Sequence, residues 1–177
     1  MRASRISGCL VLTLVALGLS APAQGQASLE YAVKAAYLTK FAPFIDWPDG
    51  VFANPGVPVT ICILGYDPFG ATLDKAAASG SGSGRPIVIR RLALNDAADG
   101  CQIVFTGDAN AGLDELRGKP VVTVTDSTVP VHGIISFVMQ DNHVRFDIDD
   151  AGAETSGLRI SSKLLGLAHS VSRRSRP

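Results

Sequence analysis

Apolar residues at Leu29, Val33, Ala36, Tyr37, Phe41, Phe44 and Ile45 recur at the spacing of one helical face, which predicts an amphipathic first helix. Pro43 lacks a backbone donor and disfavours helical geometry at Ala42, so a kink or an end is expected there. Asp46-Trp-Pro-Asp-Gly50 then supplies turn chemistry. Residues 57–64 form a β-rich apolar run that turns through Gly65-Tyr-Asp-Pro-Phe-Gly70 into a second helix, with Asp67 suited to its N-cap and Pro68 to its first turn. That helix is expected to fade within Ala76-Ala-Ala-Ser-Gly-Ser-Gly-Ser-Gly84, a low-complexity stretch that reads as a flexible loop.

Further strands are predicted over residues 86–92, 101–106 and 121–125, with a short helix over 108–117 stopped by Gly118 and Pro120. Nearly continuous apolar strands alternating with helices point to βαβ units and a parallel sheet covered on both faces. The period then changes. Residues 133–140 and 143–148 flank Asp141-Asn142, a pair suited to a two-residue hairpin turn, and Val144, Phe146 and Ile148 alternate with Arg145 and Asp147, which leaves one face wet. A final amphipathic helix is expected to carry Ile160, Leu164, Leu165, Leu167 and Ala168, with Ser156 as an upstream N-cap. The fold class is therefore α/β: a single domain with a mixed, mostly parallel sheet flanked by helices, an antiparallel C-terminal hairpin and a last helix.

The first residues alter this picture. Arg2 and Arg5 precede the apolar run from Cys9 to Leu19 and then small residues, the layout of a secretory signal peptide whose cleavage leaves a mature start between Gln24 and Ser28. Ile6-Ser-Gly-Cys9 matches a lipoprotein box in letters, but most of the apolar run follows the cysteine rather than preceding it. The expected layout is a leader over residues 1–27, a domain over 28–170 and a basic, disordered tail over 171–177 carrying Arg173, Arg174 and Arg176. With equal acids and bases in the whole chain and two arginines in the leader, the exported body is mildly acidic, which argues against nucleic acid as a partner. Cys62 and Cys101 remain after cleavage. In an oxidising compartment they are read either as a disulfide pair or as two small buried hydrophobes.

Candidate chemistry is sparse. His132, His143 and His169 have no ligand-like spacing, so no metal is expected. Gly65 to Gly70 resembles a phosphate loop, but Ala71-Thr72 stands where Lys-Ser/Thr would hold phosphate and Mg²⁺. The turn still follows a strand, at the edge where open α/β sheets bind ligands, so Gly65, Asp67, Phe69 and Gly70 are a candidate small-ligand crevice. Gly80-Ser-Gly-Ser-Gly84 meets the letters of a nucleophile elbow without the strand-to-helix context. Asp147, Asp149 and Asp150 read as solvated turn residues. Neither a catalytic set nor a cofactor is expected. Tyr37, Phe41, Phe44 and Trp47 line one side of the first helix and its exit, and they are read as core or as a protein-docking stripe.

Several segments together resemble the YfiR family of periplasmic proteins: Val33-Lys-Ala-Ala-Tyr-Leu38 with residues 41–48, Ile61-Cys-Ile-Leu-Gly65 with Asp67-Pro-Phe-Gly70, Gly84-Arg-Pro-Ile-Val-Ile89, Gly100-Cys-Gln-Ile-Val-Phe105, Gly133-Ile-Ile-Ser-Phe-Val138, Val144-Arg-Phe146 and Gly157-Leu-Arg-Ile-Ser-Ser-Lys-Leu-Leu165. The resemblance implies an α/β fold and a regulatory role, in which the protein binds the periplasmic sensory domain of a membrane-bound diguanylate cyclase and represses it. Cyclic di-GMP signalling and biofilm formation are then lowered. It also implies an outer-membrane lipoprotein that sequesters the regulator, and a homodimer is expected. By the same resemblance Cys62 and Cys101 occupy the place of one family disulfide, while the second family pair has no counterpart here. The alternative is a periplasmic small-ligand-binding module.

Overall fold

Helix α1 (Gln24–Phe41) forms as predicted, but its inner face is rotated from the predicted stripe: Lys34, Ala35, Leu38 and Phe41 are buried, whereas Leu29 and Val33 are exposed. It stops where Pro43 enters a 3₁₀ turn (Ala42–Phe44), which leads into the short strand β1 (Ile45–Asp46). The structure, a computed structural model, describes residues 24–80 and 84–173. Strand β2 (Val59–Leu64) leads to helix α2 (Ala71–Gly80) and strand β3 (Ile87–Leu92), followed by β4 (Ile103–Thr106) and β5 (Val122–Thr125). Strands β6 (Ile135–Gln140) and β7 (His143–Asp149) form the hairpin. After them come α3 (Asp150–Thr155), β8 (Arg159–Ile160), α4 (Ser162–Leu165) and β9 (Ser170–Ser172).

Seven strands make one sheet in the order β3-β2-β4-β5-β6-β7-β9. It is parallel from β3 through β6, antiparallel between β6 and β7, and parallel again between β7 and β9. Asp141 and Asn142 both take positive φ, at 49° and 60°, as the tight hairpin turn requires. Strand β1 pairs with β8 in a separate two-stranded sheet.

Successive side chains of a strand leave opposite faces, and β2 shows the consequence. Ile61 and Ile63 join the main core with Leu38 and Phe41 of α1, Leu73 of α2, and Phe105, Phe137 and Phe146 from the sheet. Cys62 and Leu64 join a smaller core with Val104, Leu113, Leu116 and Val121. Helices α1 and α2 cover the first face. The second is closed by loops and a 3₁₀ turn (Leu113–Leu116), which corrects the expectation of helices on both sides. The parallel step from β5 to β6 has no helix at all. Residues 126–134 return against the second face, where Ile134 N–H donates to Thr123 Oγ1 (2.9 Å) and Gly133 N–H to Thr125 Oγ1 (3.2 Å). A Cβ on Gly133 would lie 2.5 Å from the Thr123 carbonyl oxygen, so only glycine allows this close return.

Other expectations need correction. Helix α2 continues through Ala76 to Gly80, because Leu73 and Ala77 both bury against the core and hold that turn; the rest of the Gly-Ser run, 81–83, lies outside the described residues. The helix expected over 108–117 shrinks to one 3₁₀ turn. The single C-terminal helix resolves into β8, α4 and β9, because Ile160 pairs with Ile45 and Ser161 starts a new helix by accepting the Leu164 N–H. Ser156 ends α3 rather than starting a later helix, and Asp149 caps α3 by accepting the Gly152 N–H at 3.0 Å. Val171 and Ser172, assigned by composition to the tail, belong to β9.

A disulfide between Cys62 and Cys101, with Cα atoms 5.9 Å apart and a sequence separation of 39, ties β2 to the segment entering β4. Both residues are buried. Closing a loop of this size stabilises a domain by about 2–4 kcal/mol. The Cys62→Ser/Cys101→Ser protein is expected to lose stability of that order in urea unfolding, and reductant is expected to bring the native chain to the same value. Equal midpoints for native and variant chains would count against the bridge.

Candidate functional site

The topology reverses at β2, whose neighbours β3 and β4 follow it in the chain on opposite sides, so the carboxyl edge of the sheet is where a ligand crevice is first sought. The turn that follows β2 is braced from inside. Gly65 takes φ +84°. Asp67 Oδ1 accepts the N–H groups of Phe69 (2.8 Å) and Gly70 (3.2 Å), and its Oδ2 accepts Arg91 Nε at 2.7 Å. Arg91 also donates to the Gly70 carbonyl (3.1 Å) and to Asp74 Oδ2 (2.7 Å). Those hydrogen bonds hold the Asp74 carboxyl below the usual carboxylate range and raise the Arg91 guanidinium further above its own. Asp67 thus serves the turn itself, and α2 begins only at Ala71. Phe69 is buried, edge-on to Phe105 at 4.7 Å and to Tyr31 at 5.5 Å. Of the four crevice residues, Phe69 therefore belongs to the core and Asp67 to the bracing of the turn.

The next part of that edge holds a group that the sequence reading passed over. Lys34 on α1 is completely buried, and its Nζ lies 2.9 Å and 3.0 Å from the two carboxylate oxygens of Asp126, directly after β5. Glu30, one helical turn earlier, binds the same ammonium, and the Tyr31 ring lies under it at 4.6 Å. Burial raises the Tyr31 phenol, and the Asp126 carboxylate, by charge and hydrogen bond, pushes it further, as does Glu30. A signal for this cluster was present in the sequence. Lys34, Leu38 and Phe41 fall at i, i+4 and i+7, so a charge stood in the middle of the apolar stripe and required a buried partner. The partner is 92 residues away, which no local pattern reveals.

The aromatic stripe divides. Phe41 is 1% exposed and packs on Phe137 and Phe146, so its ring belongs to the core. Tyr37 is half-buried and edge-on to Phe146 at 5.4 Å. Phe44 and Trp47 also stay partly exposed while packing against the core, and Trp47 stands edge-on to Phe52. The histidines are all exposed, and His143 Nδ1 approaches the Asp141 carbonyl at 2.7 Å. The Asp147, Asp149 and Asp150 group is less solvated than expected: Asp149 is a cap, and one Asp147 oxygen is buried without a partner. Among the described residues, no three His, Cys, Asp or Glu side chains gather as a metal site would need.

Residues 31–169 match the model of the YfiR/HmsC-like family, a span that takes in nearly every element described above. The chain belongs to that family. No curated protein matches it. Membership in the YfiR/HmsC-like family supports a regulatory rather than catalytic role in the periplasm, in signalling through diguanylate cyclases. No helix among the described residues is long and apolar enough to cross a membrane. The disulfide fits an oxidising compartment.

The buried Lys34–Asp126 pair carries two tests. Breaking a buried pair strands one charge, at a cost of about 3–5 kcal/mol. Lys34→Met and Asp126→Leu are each expected to destabilise strongly, and Lys34→Met/Asp126→Leu to regain most of the loss in a double-mutant cycle. Tyr31 sets a pH dependence. Its folded-state value lies above that of the unfolded chain, so its contribution is complete below the ordinary tyrosine value of about 10 and declines as pH rises beyond it. Urea unfolding in that alkaline range is expected to show a steeper decline for the native chain than for Tyr31→Phe.

Proposed function

We propose that this protein is exported to the periplasm, where it binds the sensory domain of a membrane-bound diguanylate cyclase and holds the cyclase inactive. The observation that carries the reading is the family match over residues 31–169, nearly the whole folded unit rather than one motif. The internal arrangement supports it. Four charges of the carboxyl edge are paired with one another, Asp67 with Arg91 and Lys34 with Asp126. What remains for the surroundings is surface.

Repression of this kind works by sequestration: the sensory domain is held in one conformation because the regulator binds that state better than the other. The proposed docking patch surrounds the exit of α1, where Tyr37, Phe44 and Trp47 keep part of their rings accessible, since rigid aromatics give contact area at little entropic cost. The active unit is a homodimer, and an outer-membrane lipoprotein competes for the same regulator. Lower cyclic di-GMP and less biofilm follow from occupancy of the cyclase.

Deleting the gene is expected to raise cellular cyclic di-GMP, and the exported chain supplied in trans to restore it. The purified mature protein is expected to retain the isolated sensory domain of the cognate cyclase on a resin, and Phe44→Ala, folded by circular dichroism, to lose that retention. Unchanged cyclic di-GMP on deletion would overturn the regulatory reading. Full retention by folded Phe44→Ala would move the docking patch elsewhere.

A further inference from the structure

At the amino end of the sheet, opposite the carboxyl edge already described, a cavity of about 320 Å³ opens between the end of α1, the first residues of β2 and β3, and the connection that follows β1. Its volume falls within the range of small-molecule sites, about 300–1,000 Å³. The walls are mostly apolar: Ala42 and Pro43 from the 3₁₀ turn, Ile45 and Val59 from the strands, and the rings of Trp47 and Phe52. Arg85 is the charged side chain among the described residues that line it.

The state of Arg85 gives the cavity a chemical preference. Its guanidinium is half-buried and lies 4.0 Å from the centre of the Phe52 ring, which Trp47 meets edge-on from another side at 5.5 Å. Nη1 donates to the carbonyls of Asn54 (2.7 Å) and Val57 (3.0 Å), and this fixes the plane of the group. Among the described residues no carboxylate pairs with it, whereas Arg91, farther along on β3, pairs with two. Nε and Nη2 therefore keep their N–H donors, in the fork geometry that suits a carboxylate.

One effect opposes an anion here. Gly80, the last residue of α2, also lines the cavity, and a helix carboxyl end carries roughly −0.5 of an elementary charge. The end of α1 adds less, because its chain continues into the 3₁₀ turn, whose Ala42 carbonyl accepts the Ile45 N–H. A whole positive charge against about half a negative one leaves the cavity attractive to an anion.

We propose that this cavity is a binding site for a small carboxylate with an aromatic or branched apolar body, with the carboxylate on Arg85 and the body against Trp47, Phe52 and Ile45. The site goes beyond the regulatory reading and does not depend on which partner the protein binds. An occupant would join the β1–β2 connection to the start of β3, so it would stiffen the end of the domain from which Phe44 and Trp47 project.

The test uses the folded mature chain with 3-phenylpropionate and its neutral isostere 3-phenylpropionamide as probes, followed by calorimetry and by amide NMR. Saturable binding of the acid is expected, roughly tenfold or more tighter than the amide, since a charge-assisted pair is lost in the latter. Shifts are expected at Ile45, the Trp47 indole and Ile87. Arg85→Met is expected to bind the acid no better than the native chain binds the amide, with Arg117→Met, a change at an exposed arginine outside the cavity, as the unaffected control. Equal affinities for acid and amide, shifts confined to another region, or no saturation at millimolar probe would each overturn the proposal. If Arg85→Met does not fold, the acid-against-amide comparison on the native chain decides alone.

Discussion

Helix α1 is clamped across the sheet by an interaction that excludes water. Lys34 reaches into the domain and meets Asp126 with both groups essentially inaccessible, so the cost of stripping water from each is offset by their mutual attraction, by Glu30 and the Tyr31 ring on the ammonium, and by hydrogen bonds from Ser127 and Thr128 to the carboxylate. Such a pair contributes little net stability against an apolar alternative. Its effect is on register, because a helix shifted by one residue would bury the ammonium without its carboxylate. The aromatic packing farther along the same helix shares that register: Tyr37 and Phe41 meet Phe137 and Phe146 where Lys34 meets Asp126.

The two faces of the sheet are held by different means. One has helices and a core rich in phenylalanine. The other has loops, one 3₁₀ turn and a crossover from β5 to β6 so tight that glycine is required against the Thr123 carbonyl. A thin cover buries less apolar area, and the covalent link between Cys62 and Cys101 lies within it, with Arg90 Nη1 donating to the Asp99 carbonyl beside it. A cross-link on the weaker face suits a protein that folds outside the cytoplasm. At the carboxyl edge Phe69 packs into the core and Arg91 is paired with Asp67 and Asp74, whereas at the amino end no carboxylate among the described residues meets Arg85.

Legibility in the sequence followed the range of the interaction. Strands β2 to β5 and the hairpin were readable because apolar runs and the Asp141-Asn142 turn are local signals, and the end of α1 was readable because Pro43 acts on its own neighbours. The region after residue 149 was not. Ile160, Leu164 and Leu165 have helical spacing, yet Ile160 takes an extended conformation because Ile45, more than a hundred residues earlier, offers it a strand partner. The candidate docking stripe was read as one surface because spacing reports a helical face and not what packs on it; packing then took Phe41 inside. Lys34 was passed over for a related reason: its oddity was visible, but its partner was not.

The proposed regulatory role needs an intact surface around the exit of α1, and that surface rests on α1 staying docked. Hydrogen exchange read by mass spectrometry on the mature chain tests this most directly. Amides of residues 34–41 are expected to exchange with the same opening free energy as those of β4 and β6, because helix and sheet open as one unit. Exchange of 34–41 orders of magnitude faster than the strands would mean that the helix lifts away on its own, and would contradict the clamp.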